Sequence, residues 1–166
     1  MKNRSTLIII GLLAIVAYLF YQYRQPRFAS GETAPDFEVG LLNGERAKLS
    51  DLRGKYVLLQ FWGSWCGPCR KENPELVKIY QEFHEKGFEI FSVGIEQNPN
   101  SWKSAINRDG LVWKYHTMES GEFNGGLALQ YNIKSIPATF LINPEGQIMG
   151  VNLKPVYIER MLKEKI

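Results

Sequence analysis

The chain contains two cysteines, and only two residues separate them, in Trp62-Gly63-Ser64-Trp65-Cys66-Gly67-Pro68-Cys69-Arg70-Lys71-Glu72-Asn73-Pro74. A pair this close can serve as a structural disulfide, as half of a metal site, or as a dithiol that cycles with a disulfide. A staple is disfavoured, because the loop it would close is tiny and constrains the unfolded chain little. A tetrahedral zinc site lacks further ligands, since the chain adds only His84 and His116 to the two thiols. A copper site calls for a well-placed His or Met, and no position singles itself out. The redox dithiol is the favoured reading, and with it neither a metal nor another cofactor is expected.

The flanking pattern places the pair. Tyr56-Val57-Leu58-Leu59-Gln60-Phe61 is a near-continuous apolar run, the mark of a central strand covered on both faces. After the cysteines, Leu76, Val77, Tyr80 and Phe83 fall at helical spacing, with Pro74 inside the pattern as a source of a kink and Gly87 suited to the end. Cys66 therefore sits where a strand gives way to a helix, and unpaired N–H groups there favour a thiolate, the form that attacks disulfides. Cys69 lies one turn on, within reach of a mixed disulfide formed by Cys66. The expected cycle has Cys66 attack a substrate disulfide and Cys69 displace the reduced product.

The remaining elements must hold that junction. Phe37–Leu41 and Arg46–Leu49 flank Asn43-Gly44 and read as a hairpin. Phe88–Ile95 is a second buried strand. Asn98-Pro99-Asn100 opens a short helix over Ser101–Arg108 that Gly110 closes, and Val112–Thr117 reads as a strand. A Gly-rich loop, 121–126, borders the site, and Leu127–Tyr131 fits a helical turn. Thr139–Ile142, the turn 143–146 and Gln147–Val151 form a hairpin, and Pro155 starts a last helix in which Val156, Ile158, Met161 and Leu162 are apolar. Alternating strands and helices followed by a hairpin and a helix predict an α/β sandwich with a mixed sheet. Trp62, Trp102 and Trp113 read as packing. His84 reads as a residue of a solvated helix face, and His116 has no partner that sequence identifies.

Ser5 to Tyr23 is 19 residues without a charge, enough to cross about 30 Å of hydrocarbon as a helix. Tyr18, Tyr21 and Tyr23 gather at its far end, where aromatic rings favour the membrane interface. The segment reads as a retained anchor in residues 1–27, with a cleaved signal peptide as the competing reading. Gln25–Thr33 reads as a short linker, and the globular domain is placed at 28–166. Four of the 20 basic residues and no acid lie in residues 1–27, leaving 16 basic against 17 acidic side chains beyond them. So near-neutral a domain carries no nucleic-acid footprint.

Trp65-Cys66-Gly67-Pro68-Cys69 resembles the active-site motif of thioredoxin, and Pro74 falls where that family kinks its active-site helix. Ile136-Pro137-Ala138-Thr139-Phe140 resembles the family's cis-proline loop. Ala34-Pro35-Asp36-Phe37, Leu49–Lys55 and Phe140–Gly146 are similar to the TlpA/ResA-type branch, bacterial membrane-anchored thiol–disulfide oxidoreductases, several serving cytochrome c maturation. The resemblance covers about residues 32–166. It implies a thioredoxin-like three-layer sandwich with an N-terminal β-hairpin extension. It implies substrate contacts from Trp65, Gly67, Pro68, Ile136 and Pro137, the Ile136 backbone pairing with an extended substrate segment. It also implies a single-pass protein of the cytoplasmic membrane with its catalytic domain on the periplasmic or extracytoplasmic side. Gln60 stands where thioredoxin has a buried Asp, and Glu72, where ResA-like proteins carry an acid, is the expected replacement in proton handling.

The expected function is reduction of disulfides in envelope proteins. Thioredoxin's own potential, about −270 mV, lies on the reducing side. A disulfide-bearing protein is then the substrate, and a membrane electron-donor protein is implied as the source of reductant. A disulfide-forming oxidase, a thiol peroxidase of the same fold and a metal-binding module are the competing readings.

Overall fold

The computed structural model describes residues 2–24 and 28–166. The boundary expected at residue 27, and residues 25–27 of the expected linker, lie outside the described residues. Helix α1 (Lys2–Arg24) contains an 18-residue stretch, Thr6–Tyr23, long and apolar enough to cross a membrane. Its large side chains, from Leu7 to Tyr23, are exposed.

Beyond it, strands β1 (Glu38–Gly40) and β2 (Arg46–Lys48) form the expected hairpin as a separate two-stranded sheet. The central sheet contains β3 (Tyr56–Trp62), β4 (Phe88–Ile95), β5 (Tyr115–Glu119), β6 (Ala138–Ile142) and β7 (Ile148–Val151), in the order β5-β4-β3-β6-β7. β3, β4 and β5 run parallel; β6 pairs antiparallel with β3, and β7 with β6. The parallel pairs require crossovers, which α2 (Gly67–Phe83) and α3 (Pro99–Asp109) supply. Two further helices complete the chain, α4 (Gly126–Gln130) and α5 (Pro155–Lys165).

Period-two alternation sorts the strands between two cores. Val57, Leu59 and Phe61 of β3 join Phe91, Val93 and Ile95 of β4 on the face covered by α4 and the β1–β2 hairpin. Leu58 and Trp62, with Phe88 and Ile90, face α2, α3 and α5, which contribute Leu76, Ile79, Tyr80, Phe83, Trp102, Ala105, Ile106, Ile158 and Leu162. The three layers are those of the thioredoxin-like fold. Trp62, Trp102 and Trp113 are all buried, as read from sequence. Gly94 is what lets Trp102 lie on the sheet: a Cβ there would stand 2.4 Å from the indole nitrogen.

Three expectations are corrected. Strand β5 begins at Tyr115, not Val112. Residues 109–111 close α3 first: the Gly110 amide donates to the Asn107 carbonyl and the Leu111 amide to the Ile106 carbonyl, with Gly110 at φ 67°. The chain then needs Trp113 turned inward before it can enter the sheet. Residues 28–34, expected to fall mostly in a linker, are docked. Gly31 donates to the Ile148 carbonyl, Ile148 to the Glu32 carbonyl, and the Ser30 hydroxyl to the Met149 carbonyl, covering the open edge of β7. Phe28 seals the strap by packing edge-on against Tyr131 at 5.7 Å. His84 is half-buried at the end of α2, stacked on Tyr80 at 4.5 Å with Nδ1 3.7 Å from the buried carboxylate of Glu89.

Candidate active site

Cys66 is the N-cap of α2, with extended backbone (φ −83°, ψ 98°), and its sulfur accepts the Cys69 amide at 3.2 Å. Pro68 occupies the first turn, where its missing N–H has no helical partner to lose. The two sulfurs are joined as a disulfide, with Cα atoms 5.3 Å apart. Both cysteines are buried, Cys69 completely, whereas Gly67 and Pro68 beside them are exposed. Any thiolate on Cys66 would sit at the positive end of a 17-residue helix, where N–H groups point at it.

Trp65, directly before Cys66, is 52% exposed. Its indole N–H donates to the Ile95 carbonyl at 2.9 Å, and the ring of Phe123, from the Gly-rich loop, meets it edge-on at 6.3 Å. Gly63 makes that placement possible, since a Cβ there would stand 2.9 Å from both the Trp65 nitrogen and the Ile95 carbonyl oxygen. The Ile136–Pro137 bond is cis, and Ile136 packs against both cores, bridging the sheet.

Glu72 is half-buried, one turn beyond Cys69. Burial, with a smaller push from Glu75, raises its carboxyl above the usual carboxylate range, and Lys154 opposes the rise. Glu72 lines a cavity of about 40 Å³ with Pro137, Thr139, Asn152, Leu153 and Lys154. That is room for a water molecule. Among the expected site residues, Glu72 and Pro137 are thus brought to one cavity beside the helix that carries the cysteines.

Sequence reasoning missed a polar chain behind the dithiol. Gln60, on the helix face of β3, is buried; its Nε2 donates to Asn73 Oδ1 at 3.2 Å and its Oε1 accepts the Ser92 hydroxyl at 2.9 Å. Ser92 in turn accepts the Trp113 indole N–H at 2.9 Å. Asn73 Nδ2 donates to Asp109 Oδ2 at 2.7 Å, and Asp109 receives a two-pronged bond from the Arg70 guanidinium. Arg70 also donates to the Ser64 carbonyl at 3.2 Å. The Ser64 amide and hydroxyl both donate to buried Glu96, whose other oxygen accepts the Gln97 and Asn98 amides. One signal was present: Asn73 is the polar member of the buried stripe Cys69, Asn73, Leu76, Tyr80 and Phe83.

A thioredoxin-like sandwich with Cys-Gly-Pro-Cys at the head of its longest domain helix defines a thiol–disulfide oxidoreductase. The comparisons agree in class. Residues 30–151 match the AhpC/TSA family, and the chain belongs to it. It is similar to the thiol-disulfide oxidoreductase ResA of Bacillus subtilis, 35% identical over 165 residues and covering 90% of this chain and 86% of that one. It is also similar to ResA of Geobacillus kaustophilus, 34% identical over 164 residues, covering 97% and 89% respectively. Among solved structures, the thioredoxin domain of a thiol-disulfide oxidoreductase from Bacteroides vulgatus superposes with a TM-score of 0.75 at 33% identity, covering 84% of this chain and 99% of that one. A thiol:disulfide interchange protein from a Bacteroides species gives 0.74 at 33%, covering 82% and 90%.

Proposed function

We propose that the chain is a membrane-tethered reductase that opens disulfides of envelope proteins, including those handled in cytochrome c maturation. The observation that carries the reading is the placement of Cys66 at the N-terminus of α2, with Cys69 one turn behind it and Glu72 one turn further. In the reduced protein the Cys66 thiolate attacks one sulfur of a substrate disulfide. A mixed disulfide forms and the first substrate sulfur leaves as a thiolate. Glu72 takes the Cys69 proton, directly or through the adjoining cavity, and Cys69 attacks Cys66. The second substrate thiolate departs, and the protein is left as the Cys66–Cys69 disulfide. Two electrons have passed to the substrate, so a membrane electron-donor protein must return them before the next cycle.

Trp65, Gly67 and Pro68 form the surface on which the substrate segment docks, and the Ile136 backbone beside Pro137 pairs with it. Helix α1 supports a single-pass tether in a bacterial cytoplasmic membrane, and the dithiol chemistry favours the extracytoplasmic side for the domain. The names of the ResA relatives support the reaction class.

Expressing Cys69→Ser in the native membrane tests the reading, because resolution is blocked and substrates stay bound to Cys66. Apocytochrome c or its handling proteins in the trapped fraction support the maturation role. A broad set of envelope proteins supports general reduction, and an empty fraction refutes the mechanism. Protease added to intact spheroplasts should remove the domain; protection would overturn the assigned side.

A further inference from the structure

Arg70 follows Cys69 directly, and its guanidinium is held from two sides. Its Nε and one terminal nitrogen grip both carboxylate oxygens of Asp109, the latter at 2.6 Å, and its other terminal nitrogen reaches the Ser64 carbonyl two residues before Cys66. The Asp109 side chain is 10% exposed and that of Arg70 25%, so the pair is largely shielded from water. The grip reaches deeper through Asn73, which binds the same carboxylate and hands its own carbonyl oxygen to Gln60 in the sheet. Asp109 itself is the last residue of α3, fixed by the Gly110–Leu111 closure. A cation in the first turn of α2, bonded to the loop that carries Cys66, is thus neutralised and aimed by a carboxylate from a different helix.

We propose that Asp109 is a positioning residue for the dithiol. Through Arg70 it holds residues 64–66 against the first turn of α2, and by neutralising Arg70 it sets how strongly the Cys66 thiolate is favoured. A shielded ion pair acts as a dipole whose two halves nearly cancel at a distance, whereas either half alone acts as a full charge. Removing the carboxylate leaves a bare cation beside the loop, which favours the thiolate and hence the reduced form. Removing the cation leaves a bare anion, which does the opposite. The inference rests on dithiol exchange alone and holds whichever protein is the substrate.

The test is the equilibrium of the full chain, in detergent micelles, with reduced and oxidised glutathione at pH 7. Asp109→Asn keeps the side-chain shape and should shift the equilibrium toward the reduced dithiol by roughly threefold to tenfold, tenfold being about 30 mV for this two-electron couple. Arg70→Met should shift it the other way, and the double variant should return within about twofold of the parent. Iodoacetamide should alkylate Cys66 faster in Asp109→Asn at the same pH. Opposite signs are the signature, because loosened structure alone gives neither opposition nor cancellation. Should Asp109→Asn fail to fold, the direction of the Arg70→Met shift decides, and a shift toward the reduced dithiol overturns the proposal. Equilibria within twofold of the parent for every folded variant, or shifts of one sign in both, overturn the proposal; failure of Cys69→Ser to trap a substrate would leave it standing.

Discussion

The isosteric change Gln60→Glu tests the polar chain most directly, because it alters one charge and no volume. In the native protein, Gln60 Oε1 accepts from Ser92 and Nε2 donates to Asn73 Oδ1. A carboxylate would present an acceptor to that Asn73 oxygen. Asn73 cannot answer by flipping its amide, since its Nδ2 is committed to Asp109 at 2.7 Å. The new side chain therefore stays in place only as the protonated acid, whose O–H replaces the lost donor. Burial to 1% exposure pushes in the same direction. The folded state should hold the proton to above pH 7, about 3 or more units over the ordinary value near 4.3, as documented for buried carboxyls.

For an acid whose folded pKa is raised, the folded state binds more protons than the unfolded one. No penalty exists below the unfolded pKa, and stability is then lost at about 1.4 kcal/mol per pH unit until the folded pKa is reached. Between pH 4.3 and pH 7 that amounts to about 3.5 kcal/mol. The assay is urea unfolding of the oxidised chain in detergent micelles, followed by tryptophan fluorescence at pH 4 and pH 7 and referred to the parent at each pH. The variant should fall within about 1 kcal/mol of the parent at pH 4 and lose most of the calculated stability at pH 7. An equal loss at both values, or a loss below about 1 kcal/mol at pH 7, refutes the network as drawn.

Two further outcomes are expected. Glu72→Gln removes the carboxyl that burial has raised, so the Cys69 thiol should titrate lower and disulfide turnover should slow by on the order of a hundredfold; an unchanged Cys69 titration would remove Glu72 from the chemistry. His116 is buried against Trp113 at 5.5 Å, and desolvation lowers its pKa to about 4. Because the unfolded imidazole protonates first, the parent loses stability as pH falls from about 6.5 toward 4, by about 3 kcal/mol in all, and none of that loss exists above 6.5. His116→Phe, which keeps the stack, should flatten this part of the stability profile; a profile of unchanged slope would count against the assignment.

What the sequence made legible follows the range of the forces involved. β3 and β4 could be read because they are buried on both faces and so are almost wholly apolar. The Asn43-Gly44 hairpin and the ends of α3 were readable because turns and caps are local chemistry. The strap at residues 28–34 was not, since it is held by backbone bonds that leave no mark on side-chain pattern. Trp113 is buried as its packing reading expects, but it precedes the strand expected from Val112 and donates to Ser92, a role set by the α3 closure before it. The chain from Trp113 to Arg70 joins residues of β3, β4, α2, α3 and the loop after α3, and only the finished sheet makes them neighbours. Of these, Gln60 interrupted the apolar run of β3 and Asn73 the buried stripe of α2, both patterns visible in advance.

The docked strap also sets the length of the leash. With residues 28–34 held to the edge of β7, four peptide steps separate Arg24 from Phe28, a span of at most about 14 Å. For a protein tethered by α1, the domain could rotate but not roam. Its dithiol would patrol a thin layer above the lipid headgroups, where confinement raises its effective concentration toward partners in the same membrane. Proteins diffusing in the bulk would have to descend into that layer to be reduced. Reach would then select clients before any docking surface is consulted, and inserting a flexible stretch at residues 25–27 would widen the set of proteins trapped by Cys69→Ser.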